Sequence, residues 1–192
     1  MLVWLLIIIG VVIVDQITKL LTVRLLDVGE SVTVIPGFGE NDIFRFTYVQ
    51  NDGAAFGMLG DHRWVFMIIS TVAIVALLIY LWKFRPQSKW ACTALSLIIG
   101  GGIGNMIDRV HLEYVIDFLD FSAFPELWKW VFNVADACVC VGGGILFVWC
   151  VCSLIQEFRA GKREAQAVTE SKTEDAAEAG DSTEPSSSDP EK

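Results

Sequence analysis

The chain has 192 residues, of which 54% are hydrophobic and 19% charged, with a formal net charge of −9 and a mean hydropathy of +0.53. That length suffices for one domain. The apolar residues come in long blocks, which excludes an ordinary soluble domain and reads as a polytopic membrane protein. No basic patch with interleaved aromatics is present, which excludes nucleic acid as a partner.

A membrane span needs about 20 mostly apolar residues. Four blocks meet this, at about 2–22, 64–82, 90–107 and 131–154. The expected fold class is an all-α polytopic membrane protein with four transmembrane helices. The first block, "MLVWLLIIIGVVIVDQITKLL", has no basic leader and no small-residue cleavage site, the first alanine being Ala54. It is expected to be a retained span and not a cleaved signal peptide. In the connection that follows, "ESVTVIPGFG" and "DIFRFTYVQN" alternate β-branched and aromatic residues around Pro36-Gly37 and Gly39. That pattern predicts a small extracytoplasmic β-sheet over about 31–50. "NDGAAFGML" (51–59), with Phe56, comes next.

Orientation follows from Lys and Arg near the span ends. The loop "KFRPQSK" carries Lys83, Arg85 and Lys89 with no acid, and Arg159, Lys162 and Arg163 follow the fourth block. Connection 23–63 has three bases and six acids, and connection 108–130 has two bases and five acids. Both termini and the 83–89 loop, with its Pro86 turn, are therefore expected in the cytoplasm, and the two long connections outside. Most of the seven tryptophans sit near block ends, as interfacial belts do.

Residues 164–192 hold nine acids and two lysines, no aromatic residue, and Val168 as their only large aliphatic. Such a segment cannot bury enough apolar surface to order itself. The expected division is a membrane domain over 1–160 and a disordered acidic cytoplasmic tail over 161–192. The five cysteines (Cys92, Cys138, Cys140, Cys150 and Cys152) all fall in apolar blocks. Residues two apart on a helix point to different faces, so we expect buried thiols, not a zinc site or disulfide framework.

An ionisable group well inside a span costs about 2.5–3.5 kcal/mol and is a functional-site hypothesis by default. Asp15 and Lys19 are four apart, in the order that favours a helical ion pair. At 1.5 Å per residue, Asp15 lies about 20 Å along a helix that starts inside. In "GGGIGNMIDRV" (100–110), Asn105 and Asp108 share a face at the end of an outward-running helix, followed by Arg109. "FNVAD" opens the inward-running fourth block with Asn133 and Asp136, again three apart. Two blocks thus present an Asn-x-x-Asp each, at one depth, from opposite directions. Structural readings exist for each residue: an interfacial pair for Asp108 and Arg109, a dipole-complementing acid for Asp136, a plain ion pair for Asp15 and Lys19. The coincidence of two such pairs favours chemistry at Asp108 and Asp136. Gly100 and Gly104 form G-x-x-x-G, which lets helices approach closely, and Gly142–Gly144 suit the same purpose.

Two carboxyls about 3 Å apart share a proton, so one serves as base toward water and the other as acid toward a carbonyl oxygen. That is peptide hydrolysis without a covalent intermediate. His62 and His111 have no serine or cysteine partner at a recognisable spacing, and no H-E-x-x-H or other metal spacing occurs. Proton or cation translocation is the alternative for acids in a membrane. Nothing polar continues to the inner side, which makes a poor conduit.

"DQITK" (15–19), "NDGAAFGML", "GNMIDR" (104–109), "YVIDF" (114–118) and "FNVADACV" (132–139) resemble, in order, the motif series of the bacterial lipoprotein signal peptidases (type II signal peptidase). The resemblance runs from about residue 10 to 150. It implies a four-helix aspartic endopeptidase of the bacterial inner membrane. Such an enzyme cleaves diacylglyceryl-modified prolipoproteins on the amino side of the lipidated cysteine, with its active site at the extracytoplasmic face. By motif the catalytic pair falls on Asp108 and Asp136, and the supporting polar residues on Asp15, Lys19, Asn51, Asn105, Arg109 and Asn133. The outer sheet would cradle the substrate at the membrane surface. The implied partners are lipidated prolipoproteins and membrane lipids; no cofactor or metal is expected, and the protein is expected to be a monomer. One departure is Glu113, where the family usually has glycine before the Tyr or Phe.

Overall fold

None of the five prolines interrupts the apolar blocks, and the blocks form helices. The computed structural model describes residues 1–37, 42–52, 63–83, 88–123 and 130–181. In chain order these residues form α1 (Leu2–Leu25), β1 (Ser31–Ile35), β2 (Phe44–Asn51), α2 (Arg63–Lys83), α3 (Lys89–His111), β3 (Val115–Asp120), β4 (Val131–Phe132) and α4 (Val134–Asp181). Among them α1, α3 and the stretch Val134–Arg163 of α4 are long and apolar enough to cross a membrane; the apolar part of α2, Met67–Lys83, is shorter. Length and composition therefore support three of the four expected spans outright. Residues 53–59, His62 and the Pro86 turn lie outside the described residues.

The chain divides into two units, Met1–Phe147 and Val148–Lys192. In the first, Ile8, Leu81, Cys92, Leu95 and Ile99 form the apolar core, flanked by Trp4, Ile74, Leu77, Ile103 and Leu146. On α2, Ile68, Ile69, Val72 and Ile79 face outward, the all-round apolarity that a lipid surface demands. The glycines of α3 set how closely its neighbours approach. A Cβ on Gly100 would lie 2.8 Å from Val11 Cβ, one on Gly101 2.3 Å from the Ala135 carbonyl oxygen, and one on Gly104 2.5 Å from Asp15 Oδ2. Of the Gly142–Gly144 run only Gly142 meets a neighbour, the Ala94 carbonyl oxygen at 2.7 Å from an added Cβ.

The sheet is larger than the sequence predicts. Its order is β1-β2-β3-β4, all neighbours antiparallel, so half its strands come from the second long connection and not the first. "VIDFLD" carries two acids in six residues, which hides a strand, yet five of its six residues are buried. Val49 pairs with Asp117 and Asn51 with Val115, which brings the end of β2 beside the middle of β3. Asp120 fastens the two strands by accepting from Arg45 Nε and, at 2.8 Å, from Thr47 Oγ1. Residues 131–132, expected in the fourth helix, belong to β4 instead.

Two further expectations change. The backbone of residues 161–181 is helical, where an unordered tail was expected. Its Ala, Glu, Gln and Lys are good helix formers even without an apolar face. Of the cysteines only Cys92 is buried; Cys140, Cys150 and Cys152 are exposed. Glu113, the departure noted above, has φ +72°. After the α3 C-cap at Leu112 the chain adopts there the left-handed conformation that glycine takes without a Cβ penalty.

Two measurements test these points. Gly101→Ala should destabilise the protein by about 2 kcal/mol through overpacking, read by thermal unfolding in detergent. Gly143→Ala, with nothing within 4 Å, should be tolerated; equal losses would disprove the close-approach argument. Glu113→Gly should raise stability by about 1 kcal/mol as the left-handed strain is relieved; a lower melting temperature would rule that out.

Candidate active site

Three helices and two strands converge on one polar cluster. Asp15, Gln16 and Lys19 come from a single turn of α1. Asn105 and Asp108 come from the last two turns of α3. Asn51 ends β2 and Asp117 lies in mid-β3. Asn133 and Asp136 open α4, where Asp136 N–H donates to Asn133 Oδ1 at 2.9 Å and Asn133 N–H donates to Asp136 Oδ2 at 3.3 Å. This reciprocal pair is a capping box with Asn and Asp in the usual Ser/Thr and Glu places, and it fixes Asp136 in the first turn.

Lys19 is 1% exposed. Its Nζ meets Asp15 Oδ2 at 2.9 Å, Asp108 Oδ2 at 2.8 Å and Asn105 Oδ1 at 2.9 Å. Asp15 also accepts from Ala135 N–H at 2.9 Å, so one α1 carboxylate helps to cap α4. Asp108 accepts from Gln16 Nε2 at 2.9 Å and from Ile116 N–H at 3.2 Å. Its two oxygens are thereby committed to α1 and to the start of β3.

Asn105 passes the cluster on to α4, its Nδ2 donating to Asp136 Oδ1 at 2.7 Å. Asn133 Nδ2 donates to Asn105 Oδ1 at 3.1 Å and to Asp117 Oδ1 at 2.6 Å. Asn51 Nδ2 donates to Asp117 Oδ2 at 2.8 Å. Of the cluster's four carboxyls, Asp15 and Asp108 pair with the ammonium, and Asp117 and Asp136 are held by amides. No buried side-chain nitrogen or oxygen is left without a partner among the described residues.

The cluster therefore gathers Asp15, Lys19, Asn51, Asn105, Asp108, Asn133 and Asp136, all expected from the sequence. Arg109 stands apart: half-buried, its guanidinium reaches the Asn105 carbonyl at 3.5 Å. The residue that sequence reading does not single out is Asp117. It is 2% exposed, and burial pushes its carboxyl up to about 6; the Asn51 amide opposes this, the Asp136 charge adds to it, and Asn133 and Lys19 oppose it further. Its one sequence signal is an acid flanked by Val115, Ile116 and Phe118, in a block that read as a family motif and not as a site. Asp108 and Asp136 are linked only at second hand, through Lys19 and Asn105. Asp136 instead has Asp117 as the carboxyl whose titration it perturbs, with Asn133 bonded to both. Asp136 is half-buried whereas Asp15, Asp108 and Asp117 are buried, so it is the most accessible of the four carboxyls.

A cleft of about 350 Å³ borders the Lys19–Asp108 side, lined by Gln16, Leu20, Ile107, Tyr114 and Ile116 among others. Among the described residues no three His, Cys, Asp or Glu side chains gather in a metal-binding arrangement.

Solved structures identify the class. Two bacterial membrane enzymes, determined by the in meso method at 2.3 and 1.9 Å resolution, match with TM-scores of 0.70 and 0.68 at 32% and 33% identity. The matches cover 79% and 76% of this chain and 89% and 90% of theirs. The fold is that of a membrane-embedded bacterial enzyme. Lipoprotein signal peptidases are similar in sequence: that of Halothermothrix orenii is 44% identical over 141 residues (72% of this chain, 90% of the relative). That of Halalkalibacterium halodurans is 37% identical over 157 residues (82% and 94%), and that of Syntrophotalea carbinolica 45% over 141 residues (72% and 84%). The family model for Signal peptidase (SPase) II matches residues 7–152, and the chain belongs to that family.

The contacts of Asp108 make a structural demand. Asp108→Asn removes one of the two carboxylates that neutralise buried Lys19 and should lower stability by about 2–3 kcal/mol. Thermal unfolding of the detergent-solubilised protein reads this, and an unchanged midpoint would remove Asp108 from the framework.

Proposed function

We propose that the protein is an aspartic endopeptidase that removes signal peptides from diacylglyceryl-modified prolipoproteins, cleaving on the amino side of the lipidated cysteine. The observation that carries this reading is the bridge at the end of the polar cluster, where Asn133 donates to the Asp117 carboxyl and forms a reciprocal pair with Asp136. The reactive pair is Asp117 and Asp136, with Asp117 in the place that the sequence motifs assign to Asp108. Asp108 supports the pair by holding Lys19.

The two carboxyls carry one proton between them. Asp136, ionised at the N-terminal end of α4, takes a proton from a water whose oxygen attacks the scissile carbonyl carbon. Asp117 gives its proton to the carbonyl oxygen, which leaves a neutral tetrahedral diol. In collapse the carbon–nitrogen bond breaks, the leaving nitrogen takes the proton held by Asp136, and Asp117 recovers one from a diol hydroxyl. Both groups return to their starting states. Asn51 and Asn133 hold Asp117, Asn105 holds Asp136, and Arg109 lies close enough to the cluster to meet substrate backbone or the lipid's polar linkage.

The charge pattern supports four spans in the inner membrane with both termini cytoplasmic and the site at the extracytoplasmic face, where a bond just above the substrate's own apolar segment would arrive. The sheet then lies at that surface, the acidic segment 161–192 in the cytoplasm, and the enzyme acts as a monomer in contact with membrane lipids.

Asp117→Asn and Asp136→Asn should each lower turnover of a diacylglyceryl lipopeptide by about a thousandfold or more in protein that stays folded. Near-normal turnover by either variant would end the assignment. A carboxyl whose folded-state value is raised to about 6 keeps its proton below that pH and loses it above. Since kcat/KM reports the free enzyme, its alkaline limb should fall through a midpoint no lower than about pH 6, and a midpoint clearly below 6 would assign the acid elsewhere.

A further inference from the structure

We propose that Lys19 is a positioning residue that sets which member of the reactive pair holds the proton, acting through the side-chain amide of Asn105. This rests on the assignment of Asp117 and Asp136 as the pair.

An asparagine amide has an accepting end and a donating end, and which way it points follows from its partners. Asn105 lies between Lys19 and Asp136. Lys19 Nζ has only hydrogens to offer and sits 2.9 Å from Asn105 Oδ1. Asn133 Nδ2, also a donor, reaches the same oxygen at 3.1 Å. Two donors on one side fix the oxygen there and leave Nδ2 aimed at Asp136 Oδ1, 2.7 Å away. An N–H aimed at a carboxyl oxygen favours the ionised form. With the amide reversed, its oxygen would face Asp136, and only a protonated Asp136 could make that bond. The orientation of Asn105 and the protonation state of Asp136 are therefore one choice, and the buried ammonium, the nearer and charged of the two donors, weighs most in it.

Other charges do not make it instead. Around the cluster stand Asp15 and Lys19 from α1, Asp108 and Arg109 from α3, Asp117 from β3 and Asp136 from α4. Arg109 reaches the Asn105 carbonyl on the backbone and not the amide. Asp15 and Asp108 both face Lys19 and act on Asp136 through it. On the other branch Asn133 donates to Asp117 with the same nitrogen that contacts Asn105, while its oxygen accepts from the Asp136 backbone. Both amides thus point in mutually consistent directions, with Asp136 as base and Asp117 as acid.

The test uses the full chain in detergent, a synthetic diacylglyceryl lipopeptide and the pH profile of kcat/KM. Lys19→Gln alone strands two buried carboxylates, so the informative variant is Lys19→Gln with Asp108→Asn, which removes one charge of each sign. Its glutamine can face Asn105 with either end, which leaves only the Asn133 amide to oppose a turn. The acid-side limb should move up by about one pH unit, while Lys19→Arg should keep the limb where wild type has it. Asn105→Ser, which retains Lys19 but lacks the amide, should move the limb the same way and serves if the double variant does not accumulate. A limb that stays in place in folded double variant or in Asn105→Ser, with only yield or amplitude reduced, reduces Lys19 to scaffolding and overturns the proposal. Turnover by Asp117→Asn or Asp136→Asn would instead remove the pair itself, a separate outcome read from those variants.

Discussion

A lysine ammonium taken out of water must find compensating groups nearby or lose its charge, and the environment of Lys19 is built around that requirement. Its three partners come from two helices, and one of them, Asp15, reaches a third. The geometry admits them only because the helices lie unusually close. A side chain at Gly104 would occupy the space of the Asp15 carboxylate, and one at Gly101 would push α4 away. In a bilayer no hydrophobic force holds helices together, so close packing and hydrogen bonds must do it. The glycines and the ion cluster are therefore one device: small residues bring the backbones together, and the charges find partners because they are together.

The cluster holds more acid than base, and the proposed chemistry uses the excess. Asp15 and Asp108 are matched to Lys19 by direct ion pairs. Asp117 and Asp136 have amide hydrogens instead, from Asn51, Asn105 and Asn133. An amide stabilises a carboxylate less than a full positive charge does, and buried Asp117, held by the amides of Asn51 and Asn133, has its carboxyl pushed up to about 6. The proposed division between framework and reacting acids follows from which partner each received, not from residue type, since all four are aspartates.

Much of this was legible in the sequence. Block lengths, the G-x-x-x-G spacing and the two Asn-x-x-Asp pairs pointed to helices meeting at a polar site, and every polar residue so identified except Arg109 lies in its interior. The role of Asp117 was not legible, for a physical reason. Sequence periodicity reports which way a side chain faces on its own element, whereas Asp117 is held between Asn51 of β2 and Asn133 from beyond the connection. The register that sets Val49 against Asp117 and Asn51 against Val115 has no counterpart in local pattern, and an acid in a polar connection looks solvated. The same blindness hid β3 and β4, because a two-residue strand such as Val131–Phe132 exists only by pairing with Leu119 and Asp120.

The three asparagines explain how a site with four aspartates stays ordered in so small an interior. Linking the carboxyls by further lysines or arginines would add buried charge, each needing its own partner. A neutral amide adds none, yet it is polar end to end and cannot be satisfied both ways at once. A chain of amides anchored at one end by a group that only donates therefore has a direction. Here the anchor is Lys19, the chain runs through Asn105 and Asn133, and it terminates on the two carboxyls that have no cation of their own. In the proposed mechanism, direction in the hydrogen bonds becomes difference between two otherwise equivalent acids, and an acid and a base are what the hydrolysis of an amide requires.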